Sequence, residues 1–243
     1  MSIPFFYSPD IVSNGGYMEL DEENARHIVQ VLRMKAGDAI KLTDGRGNTS
    51  QCMISAAGKK SCTVIIQSHT TTPAPAHKVT IAISLLKNTS RFEWFLEKAA
   101  EIGISQIIPI IAARTERQSF RKGRLDNILV SAMLQSQNCW RTELHEPMPI
   151  DEFWSDPLAN QYSLKLIAHC EQGEKSNLLK IGRVHSSAII LIGPEGDFSS
   201  SEIQQAINRN YQPVSLGSSR LRTETAGIVA AALLKQLMEF GDF

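Results

Sequence analysis

After residue 72 this chain alternates apolar runs with segments of helical character, and that alternation restricts the fold more than any other feature. Val79–Leu86, Gln106–Ile111, Leu164–Ala168, Ala188–Ile192 and Val214–Leu216 read as strands. Their near-continuous apolar character suits strands buried on both faces, the environment of a parallel sheet with helices on each side. Ser90–Ile102, Gly123–Gln137, Glu202–Asn210 and Glu224–Phe240 read as the helices between them. Ser90 with Glu93, and Ser199 with Glu202, have capping-box spacing, and Gly103 stands where a helix-ending glycine belongs. The expectation is an α/β domain over 73–243.

Residues 1–72 have a different character. Ala39–Thr43, the turn Asp44-Gly45-Arg46-Gly47-Asn48 and Thr49–Ser55 read as a hairpin, and Cys62–Ile66 as another strand. A helix over Asp21–Leu32 takes Asp21 as its N-cap. These short elements predict a small β-barrel, separated from the rest by the proline-punctuated stretch Thr70–Ala76.

Two glycine-bearing loops follow the last two strands: Gly193-Pro194-Glu195-Gly196-Asp197-Phe198-Ser199, and Leu216-Gly217 through Arg222-Thr223-Glu224-Thr225-Ala226. Ligands of parallel sheets bind beyond the carboxyl ends of the strands, and glycine lets bare backbone approach a flat molecule. The first strand leads instead into Lys87-Asn88-Thr89-Ser90, without the Gly-x-Gly-x-x-Gly of a dinucleotide fold. That argues against ATP or NAD as the ligand.

Composition narrows the function classes. With 25 basic and 25 acidic residues the formal net charge is zero, which does not suit a non-specific nucleic-acid binder. Charge is nevertheless uneven: residues 114–124 carry Arg114, Arg117, Arg121, Lys122 and Arg124 against Glu116 alone, a cluster able to neutralise phosphates. Cys52, Cys62, Cys139 and Cys170 show neither metal-ligand nor disulfide spacing. No apolar run reaches the roughly 20 residues of a membrane span, and Met1–Phe6 lacks the pattern of a secretory leader. A cytoplasmic protein that neither binds metal nor enters a membrane is expected.

Several motifs together resemble a known family. They are His27-x5-Arg33-x-Lys35-x-Gly37-Asp38, Lys87-x3-Arg91, Lys98-x2-Glu101-x-Gly103, Pro109, Gln135-Ser136 and the two glycine loops. The chain resembles the bacterial 16S ribosomal RNA small-subunit methyltransferases of the RsmE type, which methylate N3 of a uridine and belong to the SPOUT superfamily. One departure is that Gln137-Asn138-Cys139-Trp140 separate Gln135-Ser136 from Arg141, where the family commonly has an earlier arginine. The resemblance implies a SPOUT-type domain over 73–243 with a C-terminal trefoil knot, a PUA-like RNA-binding barrel over 1–72, and a homodimer packed through the last helix. It also implies S-adenosylmethionine as cofactor, S-adenosylhomocysteine as product, and 16S rRNA or the small ribosomal subunit as partner.

On the same footing, Ala168, His169, Leu191, Gly193, Pro194, Glu195, Gly196, Leu216, Gly217, Leu221 and Thr225 are the candidate cofactor residues. Glu195 and Glu224 are candidate general bases for the uridine N3 proton, and Arg222 a candidate for stabilising charge on the base. Arg33, Lys35, Lys87, Arg91, Arg114, Arg117, Arg121, Arg124 and Arg220 are candidate RNA contacts, with Lys41 and Arg46 on the barrel. Methyl transfer is a single in-line displacement and calls for no metal. Two other functions compete with this one: a ribose 2′-O-methyltransferase of the same superfamily, and an RNA-binding assembly factor that keeps the fold without catalysis.

Overall fold

The computed structural model describes residues 3–11, 15–116, 119–181 and 186–240. They fall into two compact units: Met1–Ala74 with Met133–Arg141, and Pro75–Ala132 with Thr142–Phe243.

In the first unit, β1 (Phe5–Tyr7), β2 (Tyr17–Leu20), β3 (Ala39–Thr43), β4 (Asn48–Ala57) and β5 (Cys62–Thr71) form a curled mixed sheet. Its order is β1-β3-β4-β5-β2, with β1 parallel to β3 and the other pairs antiparallel. Ile40, Leu42, Ile54 and Val64 fill its interior. The predicted hairpin turn forms because Asp44 Oδ1 accepts the N–H groups of Arg46 and Asn48 at 2.7 and 3.1 Å. β5 runs on through Thr71, paired with Asn48, so strand takes the first part of the expected linker.

The helix expected over Asp21–Leu32 divides. Asp21 caps α1 (Glu22–Arg26), and His27–Val31 continue as a π-helical turn that ends at Arg33, a non-glycine residue at φ 55°. Residues 133–141 group with this unit: Gly47 N–H donates to the Cys139 carbonyl, and Arg141 N–H to the Gly45 carbonyl, both at 2.9 Å. Gly47, at φ 92°, is required there, because a Cβ would run into the Trp140 ring and the Thr72 carbonyl.

The second unit contains β6 (Lys78–Ser84), α2 (Thr89–Ile102), β7 (Gln106–Ile111), α3 (Lys122–Gln135, whose last three residues group with the first unit), β8 (Glu143–Leu144), β9 (Met148–Pro149) and α4 (Ile150–Phe153). It continues with β10 (Leu164–Ala168), β11 (Ser176–Asn177), β12 (Ser187–Ile192), α5 (Ser200–Asn208), β13 (Gln212–Ser215) and α6 (Thr223–Phe240). The sheet order is β11-β13-β10-β12-β6-β7-β8, with β9 also on β7, and every pair is parallel.

Both faces are covered, as the apolar runs require. Along β12, Ala188, Ile190 and Ile192 pack in the core layer that holds α2 and α6, while Ile189 and Leu191 pack opposite with Phe153, Phe198 and Tyr211. The predicted capping box at α5 is present: Ser199 and Glu202 satisfy each other's backbone. At α2 the cap differs from expectation. Asn88, not Ser90, is the N-cap, its side chain accepting from Ser90 N–H at 3.0 Å, so the helix starts one residue earlier. No helix among the described residues is long and apolar enough to cross a membrane.

Gly227 marks where α6 lies closest to its neighbours. A Cβ there would sit 2.7 Å from Phe95 Cε2 and 3.0 Å from Ile83 Cδ1, both fully buried side chains. Gly227→Ala gains about 1 kcal/mol of helix propensity, but overpacking a closed core costs about 1–3 kcal/mol. The net expectation is destabilisation, read as a fall of roughly 2–6 °C in Tm. A rise in Tm would show that the Phe95 ring yields.

Candidate functional site

Three neighbouring parallel strands, β13, β10 and β12, end on the same side of the sheet. The loops that leave them enclose a cavity of about 860 Å³, within the range typical of small-molecule sites. Ala168, His169 and Cys170 come from the end of β10, residues 192–195 and 197 from β12, and residues 214–223 from β13 into α6.

Each loop is held by bonds to backbone groups. Asp197, at φ 64°, closes the β12 loop by donating N–H to the Pro194 carbonyl at 2.9 Å, and its Oδ2 accepts Cys170 N–H at 2.7 Å. Thr223 Oγ1 donates to the Gly193 carbonyl at 3.0 Å, joining the third loop to the second. Phe198, fully buried, anchors the loop in the core and leaves no room for a Cβ at Gly193, which would meet the ring at 3.0 Å. Gly217 is glycine for another reason: its φ is 135°, and a Cβ there would meet nothing within 4 Å. Bare backbone therefore faces open cavity at Gly217.

Of the sequence candidates, Ala168, His169, Gly193, Pro194, Glu195, Leu216, Gly217, Leu221, Arg91, Arg220 and Arg222 line the cavity. Leu191, Gly196, Thr225 and Glu224 are not among its lining residues. Leu191 points into the opposite core layer because strand alternation sends it there. At Gly196 a Cβ would make ordinary contact with Arg114 at 3.4 Å. Lys175, Asp197 and Thr223 line it without having been singled out, and Cys170 lines it beside His169. Asp197 and Thr223 stand inside the two loop motifs, whereas Lys175, donating to the His169 and Glu171 carbonyls at 3.0 and 2.6 Å, belongs to no motif.

Arg91 joins the two candidate bases. Its Nη1 lies 3.4 Å from Glu195 Oε1, and its Nε 3.6 Å from Glu224 Oε1. The Glu224 side chain is 8% exposed, and its Oε2 has no hydrogen-bond partner. His169 also has both ring nitrogens buried and unpartnered. Burial first, then the nearby Lys175 ammonium, holds its pKa below the usual value.

Many of the candidate RNA contacts are already engaged. Lys87 pairs with Glu116 at 2.9 Å, Lys122 with Asp126 at 2.7 Å, and Arg124 grips Glu93 with two bonds of 2.7 and 3.0 Å. Arg114 Nη1 donates to the Gly196 and Phe198 carbonyls at 2.8 and 3.3 Å, which makes it a brace for the β12 loop. On the barrel, Lys41 lies over the Phe5 ring and Arg46 donates to the Pro9 carbonyl, while Arg33 and Lys35 are exposed. Among the described residues the Arg121 guanidinium has no partner; Arg117 lies outside them.

The family of RNA methyltransferase domains matches residues 72–235, and the RNA methyltransferase PUA domain matches 20–67. Ribosomal RNA small subunit methyltransferase E of Mesomycoplasma hyopneumoniae is 31% identical over 159 residues, covering 63% of this chain and 67% of that protein. The chain belongs to the ribosomal RNA small subunit methyltransferase E family.

Two solved structures extend that likeness to the whole fold of this methyltransferase. A probable rRNA-methyltransferase from Porphyromonas gingivalis is 39% identical, with TM-score 0.87 over 97% of this chain and 98% of its own. Ribosomal RNA small subunit methyltransferase E from Neisseria gonorrhoeae, bound to S-adenosyl methionine, is 28% identical with TM-score 0.87 over 98% of both chains. Among the described residues no group of three or more His, Cys, Asp or Glu side chains is placed to hold a metal ion.

Two predictions follow from the geometry of this cavity. Arg114→Ala removes the brace from two carbonyls, each bond contributing about 0.5 kcal/mol to holding the loop at this exposed position. Amide exchange at Asp197 and Phe198 should speed up roughly 5-fold, with Tm nearly unchanged because the guanidinium is exposed. Unaltered exchange would show that the loop holds itself.

The second concerns His169. Its depressed pKa means that the unfolded chain takes up the proton first, near pH 6.5. Its stabilising effect is therefore complete above that pH and is lost as pH falls below it. His169→Gln should reduce the drop in Tm between pH 7 and pH 5 by roughly 2–5 °C. An identical acid profile would mean that the imidazole is hydrated in solution.

Proposed function

We propose that this protein transfers a methyl group from S-adenosylmethionine to N3 of a uridine in the 16S rRNA of the small ribosomal subunit. The observation that carries the reading is the cavity itself, at the carboxyl ends of three parallel strands, with open backbone at Gly217 and Arg91, Arg220 and Arg222 in its lining. The residues fit the cofactor. An adenosine ring needs backbone amides and apolar cover, which Leu216, Gly217 and Leu221 offer, and its polar groups need partners such as the two unpaired nitrogens of His169.

When bound, S-adenosylmethionine supplies an electrophilic methyl group and leaves as S-adenosylhomocysteine. The chain's own residues prepare the acceptor. Glu195, in the cavity lining, takes the proton from uridine N3, so that the N–H bond is exchanged for N–CH3. Arg222 and Arg220 stabilise the charge that develops on the uracil oxygens. Arg91 fixes Glu195 against the buried Glu224 behind it. Arg33 and Lys35 on the PUA-like barrel of residues 1–72 reach RNA phosphates. Two copies pair along α6, where Ile228, Leu233 and Leu237 are only partly buried. The reading includes the trefoil knot in 73–243 and a cytoplasmic location.

Calorimetry with S-adenosylmethionine, joined to mass spectrometry of rRNA nucleosides from a deletion strain carrying this gene, tests the proposal. Wild-type protein should bind the cofactor and restore N3-methyluridine. Gly217→Val, which places a β-branched side chain at φ 135° in the cavity, should weaken binding at least 10-fold and leave the mark absent. No cofactor binding by the wild type would favour a non-catalytic assembly factor, and a 2′-O-methyl mark would favour the ribose enzyme.

A further inference from the structure

A second cavity, of about 290 Å³, opens beside the first turn of α2. Ser90 and Phe92 line it, while Arg91 between them lines the large cavity, so one helical turn serves both. Its volume lies at the bottom of the range for small-molecule sites, enough for one flat ring system and too little for a second cofactor. Leu86 and Phe92, 2% and 4% exposed, and the half-buried Phe120 give it apolar faces.

One edge is ionic in a particular way. Glu93 and Arg124 both line the cavity, joined by two hydrogen bonds. Arg124 forms a parallel fork on the two lone pairs of Glu93 that face the same way, and its side chain is 64% exposed, so this pair contributes little and a ligand with two side-by-side donors takes the place of Arg124 on both oxygens. The Arg124 hydrogen bonds hold the Glu93 carboxyl below the usual carboxylate range, so it is an acceptor and not a donor at neutral pH. Two adjacent acceptors call for two adjacent donors. Among the RNA bases only guanine carries these, N1–H beside the 2-amino group. Arg121, also in the lining and without a partner among the described residues, supplies positive charge for a phosphate.

We propose that this cavity is a subsite for a guanine nucleotide of the RNA close to the methylated base, with its ring against Phe120, its donor edge on Glu93 and a phosphate on Arg121. The proposal rests on the reading of the large cavity as the methyl-transfer site. It makes Glu93 and Phe120 determinants of RNA sequence preference and leaves the chemistry to the larger cavity.

The test uses full-length protein, S-adenosylmethionine and an RNA fragment spanning the methylation site. Each guanosine within three nucleotides of the target uridine is replaced in turn by inosine, which lacks the 2-amino group. At one position inosine should raise KM roughly 10-fold with little change in kcat, the scale expected for one good base contact. Glu93→Gln should erase the difference between guanosine and inosine, because its amide presents a donor to a donor. Phe120→Ala should weaken both RNAs about equally, as loss of a stacking surface does. Thermal melting and cofactor calorimetry establish that each variant is folded, and if Phe120→Ala is not, Glu93→Gln decides alone.

A wild type that treats all the inosine RNAs like the parent, or a Glu93→Gln variant that still discriminates, overturns the subsite. So does a target with no guanosine within reach. Protein that binds cofactor but leaves every RNA unmethylated fails the reading of function instead. Fluorescence anisotropy with the same RNAs then decides the subsite by binding alone: a guanosine preference abolished in Glu93→Gln supports it, and equal affinities overturn it.

Discussion

The parallel sheet of the second unit is buried on both faces, and the placement of chemistry in this protein follows from that constraint. β6 and β12 lie at its centre, and the side chains of Ile81, Ile83, Ile190, Ile189 and Leu191 are fully enclosed. At roughly 25 cal/mol per Å² of apolar surface removed from water, this burial is the main stabilising contribution, and it leaves no polar opening along the strands. Reactive side chains are thereby confined to the strand ends. Parallel direction does the rest, because β10, β12 and β13 all finish on one side and deliver their loops to a common cavity.

Loops at strand ends have backbone groups that need partners, and here those partners also fix the shape of the site. Thr223 satisfies the Gly193 carbonyl, Asp197 the Cys170 amide, and Arg114 the carbonyls of Gly196 and Phe198. Glu202 extends the scheme. The residue is 5% exposed and its carboxylate has no cationic partner among the described residues, yet it accepts from Ala113 N–H, Ser199 N–H and Ser199 Oγ at 2.7, 2.7 and 2.9 Å. Charged acceptors at helix N-termini are stabilised by the helix dipole as well as by these bonds. Glu202 thus ties the segment after β7 to the β12 loop without an ion pair.

The sheet was legible in the sequence because burial on two faces writes an unmistakable pattern, and the glycine loops because only a few residue types tolerate their geometry. What was not legible depended on contacts distant in sequence. The sequence pattern carries a helix on to Gln137, but just beyond it the backbone of Cys139 and Arg141 pairs with Gly47 and Gly45, more than 90 positions earlier. Asn88 and Ser90 are both good caps, and only the observed start of α2 chooses between them. Spacing along the chain does not show which basic residues are paired: Lys87, Lys122 and Arg124 meet Glu116, Asp126 and Glu93. A count of positive residues therefore overstates the charge available to RNA, and Arg121, Arg220 and Arg222 are a more selective set than the cluster suggested.

The three glycines of the two loops show why residue type alone underdetermines a role. At Gly193 the missing Cβ makes room for the Phe198 ring, so the requirement comes from the protein's own packing. At Gly217 the space is empty and the backbone angle is one that side chains resist, so the requirement is conformational and the open side faces the cavity. Gly196 answers to neither need, since a Cβ there would touch only the Arg114 side chain at ordinary distance. A motif with glycines at fixed spacing can thus combine a packing position, a ligand position and a tolerant one. The atoms around each Cα distinguish them, and those atoms come from Phe198, from Arg114 and from the cavity, none of which the spacing reveals.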